Sequence, residues 1–476
     1  MEAKPSVASI WKDGWNPNLM KQGSGPAVAD PATKKDSLDS IDSAPKPGAD
    51  LPFRPKPRVL QDLGLPEIFV ADLFLKHCFY MKIFTLPELR DRLKLPTSII
   101  SDVLDYLQME EYLEIRGPDP LKPASGPMGL SNRYALTDGG RKRAAQLLEY
   151  DAYVGPVPVS LEDYWRQVES QSLKSSPVTL ERLRQSFEGL VIYPDMLEKL
   201  GPASVSGKPL FLYGPPGNGK TTIALRMGQV WDDAILVPYA IFVEGNVIRV
   251  FDEINHKPVA NGGAPHSNGE ADHRWVACRR PTVIVGGELT VDMMDLSFNP
   301  TMKYYEAPLQ LKANNGLFIV DDLGRQRLPA QELLNRWIIP LENRQDFLCL
   351  HTGQKFAIPF DQFIIFATNI EPHKLMDAAF LRRIRAKVKV NHVTRQQFKE
   401  IFHLVCRQHG LHTNGNLDDM AEYLLTAYYD DGRRPMDACH PRDLIEQIVD
   451  YCTFHRLPPE LNRENLDRAC EIYFVE

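Results

Sequence analysis

The feature that most constrains this chain is a glycine-rich loop between an apolar strand and a helix. In KPLFLYGPPGNGKTTIALRM, the predicted strand Leu210–Tyr213 leads into a segment with the pattern G-x-x-x-x-G-K-[ST]. The backbone N–H groups of such a loop close around phosphate oxygens, and the following helix presents the positive end of its dipole to them. We therefore predict a nucleotide phosphate site. Its residues are Gly214, Pro215, Pro216, Gly217, Asn218, Gly219, Lys220, Thr221 and Thr222.

Bound phosphate needs a cation beside it, and two segments of the sequence supply side chains that would provide or bind one. Lys220 is placed to reach the β- and γ-phosphates, and the Thr221 hydroxyl is placed to bind Mg²⁺. We expect Lys220 to face solvent when the loop is empty. In NNGLFIVDDLGRQ, the apolar strand Leu317–Val320 ends in Asp321 and Asp322. We predict that Asp321 holds the magnesium ion and that Asp322 activates the attacking water.

A third apolar strand, QFIIFATN, ends in Asn369, whose amide is suited to orient that water. The loop, the Asp pair and the strand-end Asn, in that order, resemble Walker A, Walker B and sensor 1 of the AAA+ ATPases. The resemblance implies an α/β fold, in which a parallel sheet is flanked by helices and followed by a helical lid. It also implies hydrolysis of ATP to ADP and phosphate, with ATP and Mg²⁺ as the bound groups.

Three arginines extend the resemblance. Arg382 and Arg383, in MDAAFLRRIRAKVKV, follow sensor 1 where the family places arginine fingers, and either one is a candidate for the finger. Arg442, in HPRDL, matches the sensor 2 arginine, which senses the γ-phosphate within its own chain. A finger reaches the nucleotide of a neighbouring subunit, so the resemblance implies self-association in a ring, which we expect to be hexameric.

The sequence departs from the family pattern in two ways. Asp322 stands where the family usually has Glu, and its side chain is one methylene shorter, so we expect slower hydrolysis. Lys220 and Asp321 are 101 positions apart, which is too long for one strand and two helices. The extra length contains a predicted hairpin in AILVPYAIFVEGNVIRVFDEI, and another is predicted in ENRQDFLCLHTGQKFAIPFDQF. These insertions resemble those of the MoxR-like and enhancer-binding branches.

Composition divides the chain into five parts. Residues 1–57 contain nine prolines and few branched apolar residues, so we predict a disordered tail, in which Trp11 and Trp15 are candidates for a short docking motif. The remaining predicted parts are a winged-helix-like domain over 58–150, a linker over 151–180, the AAA+ core with β-hairpin insertions over 181–393, and the helical lid over 394–476. The pattern Thr394-x-x-Gln397 predicts a capping box at the start of the first lid helix.

The winged-helix-like domain raises the question of DNA binding. Its third predicted helix, within residues 97–112, contains no Lys or Arg but four acids, Asp102, Asp105, Glu110 and Glu111. An acidic helix in this position repels the duplex. Protein docking is therefore the favoured role, and DNA contact through the arginines near the wing stays as the alternative.

Whole-chain composition limits the function classes further. With 55 Lys and Arg against 62 Asp and Glu, the net charge of −7 gives no basic field for nucleic acid or anionic membrane. The sequence has no window long and apolar enough for a membrane span. Seven scattered cysteines without a C-x-x-C motif suit a reducing compartment, so we expect a cytoplasmic protein.

One further acidic segment lies between Tyr428 and Arg442. It contains Asp430, Asp431 and Asp437, together with His and Cys residues, and we interpret it as a solvated turn rather than a site.

The sequence thus predicts an AAA+ ATPase that remodels a protein substrate or adaptor. The alternative is a nucleotide-gated DNA-binding regulator or loader that uses the winged helix. A small-molecule kinase would share the phosphate loop but would need neither finger arginines nor a separate lid.

Overall fold

The computed structural model describes residues 52–118, 132–176, 178–259, 270–327, 329–376, 378–411, 416–430, 432 and 434–474. Trp11, Trp15 and most of the predicted tail lie outside these residues.

The last residues of the predicted tail pack against the folded chain. Arg54 forms an ion pair with Asp163, and its guanidinium lies 5.1 Å from the ring centroid of Trp275. The backbone N–H of Lys56 donates to the carbonyl of Glu270 at 2.7 Å. Arg54 and Lys56, which fall within the predicted disordered tail, are therefore part of the folded structure.

The region up to residue 150 combines helices with a small antiparallel sheet. Its helices are α1 (Glu67–Met81), α2 (Leu86–Leu93), α3 (Thr97–Met109) and α4 (Asp138–Tyr150), and its strands are β1 (Ile83–Thr85), β2 (Leu113–Pro118) and β3 (Asn132–Leu136). The strand order is β1-β3-β2. The apolar stripe of α3, which includes Ile99, Val103 and Leu107, is buried in the region's core. The winged-helix assignment of this region stays a prediction.

The middle of the chain contains the remaining strands. They are β4 (Val159–Ser160), β5 (Leu210–Tyr213), β6 (Ala234–Pro238), β7 (Ala240–Val243), β8 (Asn246–Arg249), β9 (Trp275–Arg279), β10 (Thr282–Val285), β11 (Ser297–Asn299), β12 (Tyr304–Glu306), β13 (Leu317–Val320), β14 (Gln345–Cys349), β15 (Lys355–Pro359), β16 (Phe363–Thr368) and β17 (Ala386–Lys389). The helices between them are α5 (Leu161–Ser170), α6 (Leu180–Ser186), α7 (Pro194–Ser206), α8 (Lys220–Gly228), α9 (Leu309–Lys312), α10 (Ala330–Asn343), α11 (Pro372–Leu375) and α12 (Ala378–Arg383).

Five of these strands form a parallel sheet in the order β10-β13-β16-β5-β17. All residues of β13 and β16 are buried, as expected for central parallel strands that are covered on both faces. On one face, Phe211 and Phe366 pack with Trp337 of α10. On the other, Leu212 and Ile365 pack with residues of α7 and α8. The predicted α/β fold, a parallel sheet flanked by helices, is confirmed.

A second sheet lies outside this core, in the order β11-β12-β8-β7-β4. The predicted hairpins β7–β8 and β14–β15 are both confirmed as antiparallel pairs. The predicted linker over 151–180 is wrong as a separate connector, because β4 pairs with β7 and α5 buries Tyr164 and Val168 beside the insertion. Those two residues are four positions apart, so both lie on the face of α5 that packs against this sheet.

The C-terminal region is helical, with α13 (Arg395–Gln408), α14 (Leu417–Tyr428), α15 (His440–Phe454) and α16 (Arg463–Tyr473). The predicted capping box of α13 is confirmed: the Thr394 N–H donates to Gln397 Oε1 at 2.7 Å, and the Gln397 N–H donates to Thr394 Oγ1 at 3.3 Å. Phe402, Leu424 and Ile448 share one buried core in this region.

In the part of the chain that the structure describes, no helix is long and apolar enough to cross a membrane.

Candidate nucleotide site

The phosphate loop follows β5 at the carboxyl edge of the parallel sheet. Gly214, Gly217 and Gly219 all have positive φ, at 146°, 74° and 77°, a conformation that favours glycine. A Cβ on Gly214 would lie 2.0 Å from the carbonyl oxygen of Val390, just after β17. Glycine is therefore required there because the neighbouring backbone passes so close. Thr222 lies exposed on α8, beyond the loop.

Lys220 does not face solvent, so that expectation is wrong. Its residue is 7% exposed, and its ammonium donates to the carbonyls of Gly214 at 3.1 Å and Pro215 at 2.8 Å. Burial lowers the pKa of Lys220, while the charges of Asp322 and Asp321 act in the opposite direction. The loop carbonyls satisfy the ammonium, which explains why it folds inward.

The loop and the second strand end meet at Thr221. The Thr221 hydroxyl donates to Asp321 Oδ2 at 2.9 Å, and the other oxygen of Asp321 accepts the Asp322 N–H at 3.0 Å. A hydroxyl and a carboxylate at this spacing suit Mg²⁺, which is usually bound by one or two carboxylates together with substrate phosphates. No group of three His, Cys, Asp or Glu side chains suited to a metal occurs among the described residues. Thr221 and Asp321 are the residues that would hold a magnesium ion bound together with a nucleotide.

The end of β16 brings a further polar side chain to the carboxyl edge of the sheet. Asn369 follows β16, and its Nδ2 donates to Asp322 Oδ1 at 3.2 Å. Asp322 adopts a left-handed backbone conformation with φ of 50°, which Asp and Asn tolerate better than most residues. The two groups predicted to handle the attacking water therefore lie in direct contact.

The three predicted arginines lie in different surroundings. Arg382 is exposed on α12, whereas Arg383 Nε donates to Glu342 of α10 at 2.7 Å. Arg442, at the start of α15, donates to Asp443 at 2.9 Å and lies 3.9 Å from Glu446. Among the described residues, Asp443 and Glu446 are the ion-pair partners of Arg442.

The sequence interpretation missed a contact between the loop and the segment before α15. Asn218 Nδ2 donates to Asp437 Oδ1 at 2.6 Å, the Ala438 N–H donates to Asn218 Oδ1 at 3.1 Å, and the Cys439 N–H donates to the Gly217 carbonyl at 2.9 Å. The interpretation of this segment as a solvated turn is therefore wrong for Asp437. It is right for Asp430, whose exposed carboxylate pairs with Arg395, and Asp431 lies outside the described residues.

Comparison with known proteins gives partial matches. A family model described as a domain of unknown function (DUF8689) matches residues 394–472. The vesicular-fusion protein SEC18 of Saccharomyces cerevisiae is 34% identical over 88 residues, which are 17% of this chain and 11% of the yeast protein. The chain thus matches about a tenth of the length of that relative.

Solved structures resemble the chain over a longer stretch. The Thermotoga maritima RuvB Holliday junction branch migration motor has 14% identity and a TM-score of 0.33, covering 63% of this chain and 71% of that one. NtrX from Brucella abortus, in complex with ADP, has 15% identity and a TM-score of 0.34, covering 66% of this chain and 62% of that one. The nucleotide site is recognised from the chain's own geometry, a phosphate loop at the carboxyl edge of a parallel α/β sheet.

Proposed function

We propose that this chain is an AAA+ ATPase, which binds ATP with Mg²⁺, hydrolyses it, and works as a ring that remodels a protein partner. The observation that carries the proposal is the bond of 2.9 Å between Thr221 and Asp321. This bond joins the phosphate loop to the acidic end of β13. The next residue there, Asp322, is in contact with Asn369. The contact between Asn369 and Asp322 favours hydrolysis over binding alone, because it brings together the two groups proposed to act on the attacking water.

Each residue has a task in this mechanism. The loop N–H groups bind the phosphates, and Lys220 exchanges its bonds to Gly214 and Pro215 for bonds to phosphate oxygens. Thr221 and Asp321 hold Mg²⁺, which neutralises charge on the β- and γ-phosphates when bound. Asp322 accepts a proton from the attacking water. Asn369 holds that carboxylate and the water in line with the γ-phosphate.

The ring proposal assigns the finger to Arg382. Arg383 is engaged with Glu342 of its own chain, whereas the side chain of Arg382 is exposed at the end of α12. A guanidinium from a neighbour stabilises charge that develops on the γ-phosphoryl group, and such a residue contributes about 10³-fold or more in rate. Arg442 is proposed to leave Asp443 and Glu446 and to contact the γ-phosphate of its own subunit.

A protein partner fits the N-terminal region better than DNA does. Asp102 and Asp105 are exposed on α3. Of the basic residues near the hairpin, Arg116 pairs with Glu114 at 2.5 Å, and Arg143 pairs with Asp72 at 3.3 Å. These ion pairs reduce the positive charge that would attract phosphates, so we propose that this region binds a protein substrate or adaptor.

Steady-state ATP turnover by the full chain tests the ATPase assignment. Lys220→Ala is expected to abolish turnover, because nothing else in the loop supplies a cation to the γ-phosphate. Lys199→Ala is the matched control, since Lys199 is exposed on α7 and its ion-pair partner among the described residues is Asp195, four residues away. A thermal melt checks that Lys220→Ala, which also frees two carbonyls, stays folded. Turnover near the wild-type level in a folded Lys220→Ala chain would overturn the assignment.

Mixing experiments test the ring. Turnover per chain should rise with protein concentration, and Arg382→Ala should flatten that rise while nucleotide binding persists. Arg383→Ala is the matched control and should retain the rise. Mixing Lys220→Ala chains with Arg382→Ala chains should restore activity, because some interfaces then pair an intact loop with an intact finger. Concentration-independent turnover with no rescue would contradict a shared site.

A further inference from the structure

We propose that Asp437 is a positioning residue: through Asn218 it holds the phosphate loop in the shape that binds phosphate. The proposal rests on the proposed function, since it concerns the same nucleotide site. It identifies the contact by which the C-terminal helical region controls nucleotide affinity.

Asn218 occupies a variable position of the loop pattern, yet its side chain forms three hydrogen bonds. The residue is 5% exposed. Its Nδ2 donates to Asp437 Oδ1 at 2.6 Å and to the Pro216 carbonyl at 2.9 Å, and its Oδ1 accepts the Ala438 N–H at 3.1 Å. Three of the four hydrogen bonds that an Asn amide can form are thus made, and two of them join the loop to the segment before α15.

These contacts orient the peptide groups of the loop. The Gly217 carbonyl accepts the Cys439 N–H at 2.9 Å, and the Pro216 carbonyl accepts the Asn218 side chain. In a planar trans peptide the C=O and N–H groups point in opposite directions. Fixing the two carbonyls on the side of the C-terminal region therefore turns the N–H groups of Gly217 and Asn218 to the other side, where successive N–H groups form an anion-binding concavity.

Asp437 also contacts two histidines. His392 Nδ1 lies 2.6 Å from Asp437 Oδ1, and His440 Nε2 lies 3.7 Å from Asp437 Oδ2. The Asp437 side chain is only 16% exposed. A carboxylate that is hydrogen-bonded by His392 and lies close to His440 supports Asn218, and a preorganised loop binds its ligand more tightly because less order is lost on binding.

The same contacts argue against the alternative that the Asp437 carboxylate occupies the phosphate position of the loop. The ammonium of Lys220, which would hold phosphate, is hydrogen-bonded to the carbonyls of Gly214 and Pro215, whereas Asp437 acts on the pKa of Lys220 through its charge. Asp437 instead bonds the Asn218 side chain. Its removal is therefore expected to weaken nucleotide binding rather than strengthen it.

The test measures the Kd of Mg²⁺-ADP and the KM and kcat for ATP in the full chain. Asp437→Ala and Asn218→Ala should each raise Kd and KM about tenfold, equivalent to about 1.4 kcal/mol, with kcat nearly unchanged. The double variant should be little worse than either single one, because both remove the same contact. Asp437→Asn, which keeps an acceptor for Asn218, should retain most of the affinity.

A matched control separates positioning from general destabilisation of the helical region. Asp467 accepts the hydroxyls of Tyr423 and Tyr428 at 2.9 Å within that region, and Asp467→Asn should leave Kd unchanged. Amide hydrogen exchange without nucleotide gives a second readout: residues 214–221 should exchange faster in Asp437→Ala but not in Asp467→Asn.

The outcomes are distinguishable. If the wild type bound no nucleotide, the proposed function would fall and this inference with it. If the wild type bound normally and Asp437→Ala bound equally well or more tightly, only this inference would be overturned. Should Asp437→Ala fail to fold, Asn218→Ala tests the same contact from the loop side.

Discussion

Two turns of this molecule are both rich in Asp, but the sequence leads to opposite interpretations of their part in the nucleotide site. The turn after β13 contains Asp321 and Asp322, and the segment before α15 contains Asp430 and Asp437. The first was predicted to be part of the site, and the second was predicted to be a solvated turn. The structure places both against the phosphate loop, through Asp321 and Thr221 at 2.9 Å and through Asp437 and Asn218 at 2.6 Å.

The difference lies in how each contact is encoded. Asp321 follows a continuous apolar strand, and polar residues at the ends of neighbouring parallel strands meet at one edge of a sheet. Asp437 follows no strand, and its partner lies 219 positions away in the sequence. Local patterning therefore identifies the first turn, whereas only the docking of the helical region identifies the second. The comparison predicts that the first turn governs chemistry and the second governs affinity.

The largest expected effect comes from the first turn. Asp322→Asn should lower kcat by about 10²- to 10⁴-fold, because it removes the base that accepts the proton of the attacking water. Asn tolerates the left-handed backbone at this position, so the turn should keep its shape. Single-turnover hydrolysis at saturating ATP measures the change, with the Kd of ATP measured alongside. If kcat were unaffected, the two turns would not differ in the way proposed.

The second expected effect tests whether the segment before α15 lies on the loop in solution. A Cβ on Gly217 would lie 2.8 Å from Cys439 Sγ, whereas a Cβ on Gly219 has nothing within 4 Å. Both glycines have similar positive φ, so the backbone strain of about 1–2 kcal/mol is shared. Gly217→Ala should therefore lower the free energy of unfolding more than Gly219→Ala does, in the absence of nucleotide.

Adding Cys439→Ala should reduce that difference, because it removes the clashing sulfur. The measurement is chemical denaturation of Gly217→Ala and Gly219→Ala, each with and without Cys439→Ala, beside wild type. Equal costs at Gly217 and Gly219 would show that the segment is not docked on the loop.

The smallest effect is expected within the second turn itself. Asp430 pairs with Arg395 at 2.6 Å, but both side chains are exposed, and Arg395 keeps a second partner in Glu422. Asp430→Asn should therefore change the free energy of unfolding by less than about 1 kcal/mol and leave the Kd of ATP unchanged. A clear loss of affinity would mean that the turn acts as one unit and not through Asp437 alone.

Sequence patterning predicted those parts of the molecule whose partners are set by local order. The parallel sheet, the glycine loop, the strand-end acids and the capping box at Thr394 and Gln397 all follow from periodicity and motif spacing. Prediction failed where contacts join distant segments. Val159 reads locally as part of a connector, but β4 completes the second sheet beside β7. Lys220 is a different case, since it reads as a solvent-facing cation but is buried against carbonyls five and six positions earlier in its own loop.

The most direct test of the account measures ATP binding and single-turnover hydrolysis separately in Asp322→Asn and Asp437→Ala. The account predicts opposite defects: Asp322→Asn binds ATP as the wild type does but hydrolyses it at least about 10²-fold more slowly. Asp437→Ala should bind about tenfold more weakly but hydrolyse at nearly the wild-type rate once ATP is saturating. The same defect in both variants, or no defect in either, would contradict the division of one nucleotide site between these two turns.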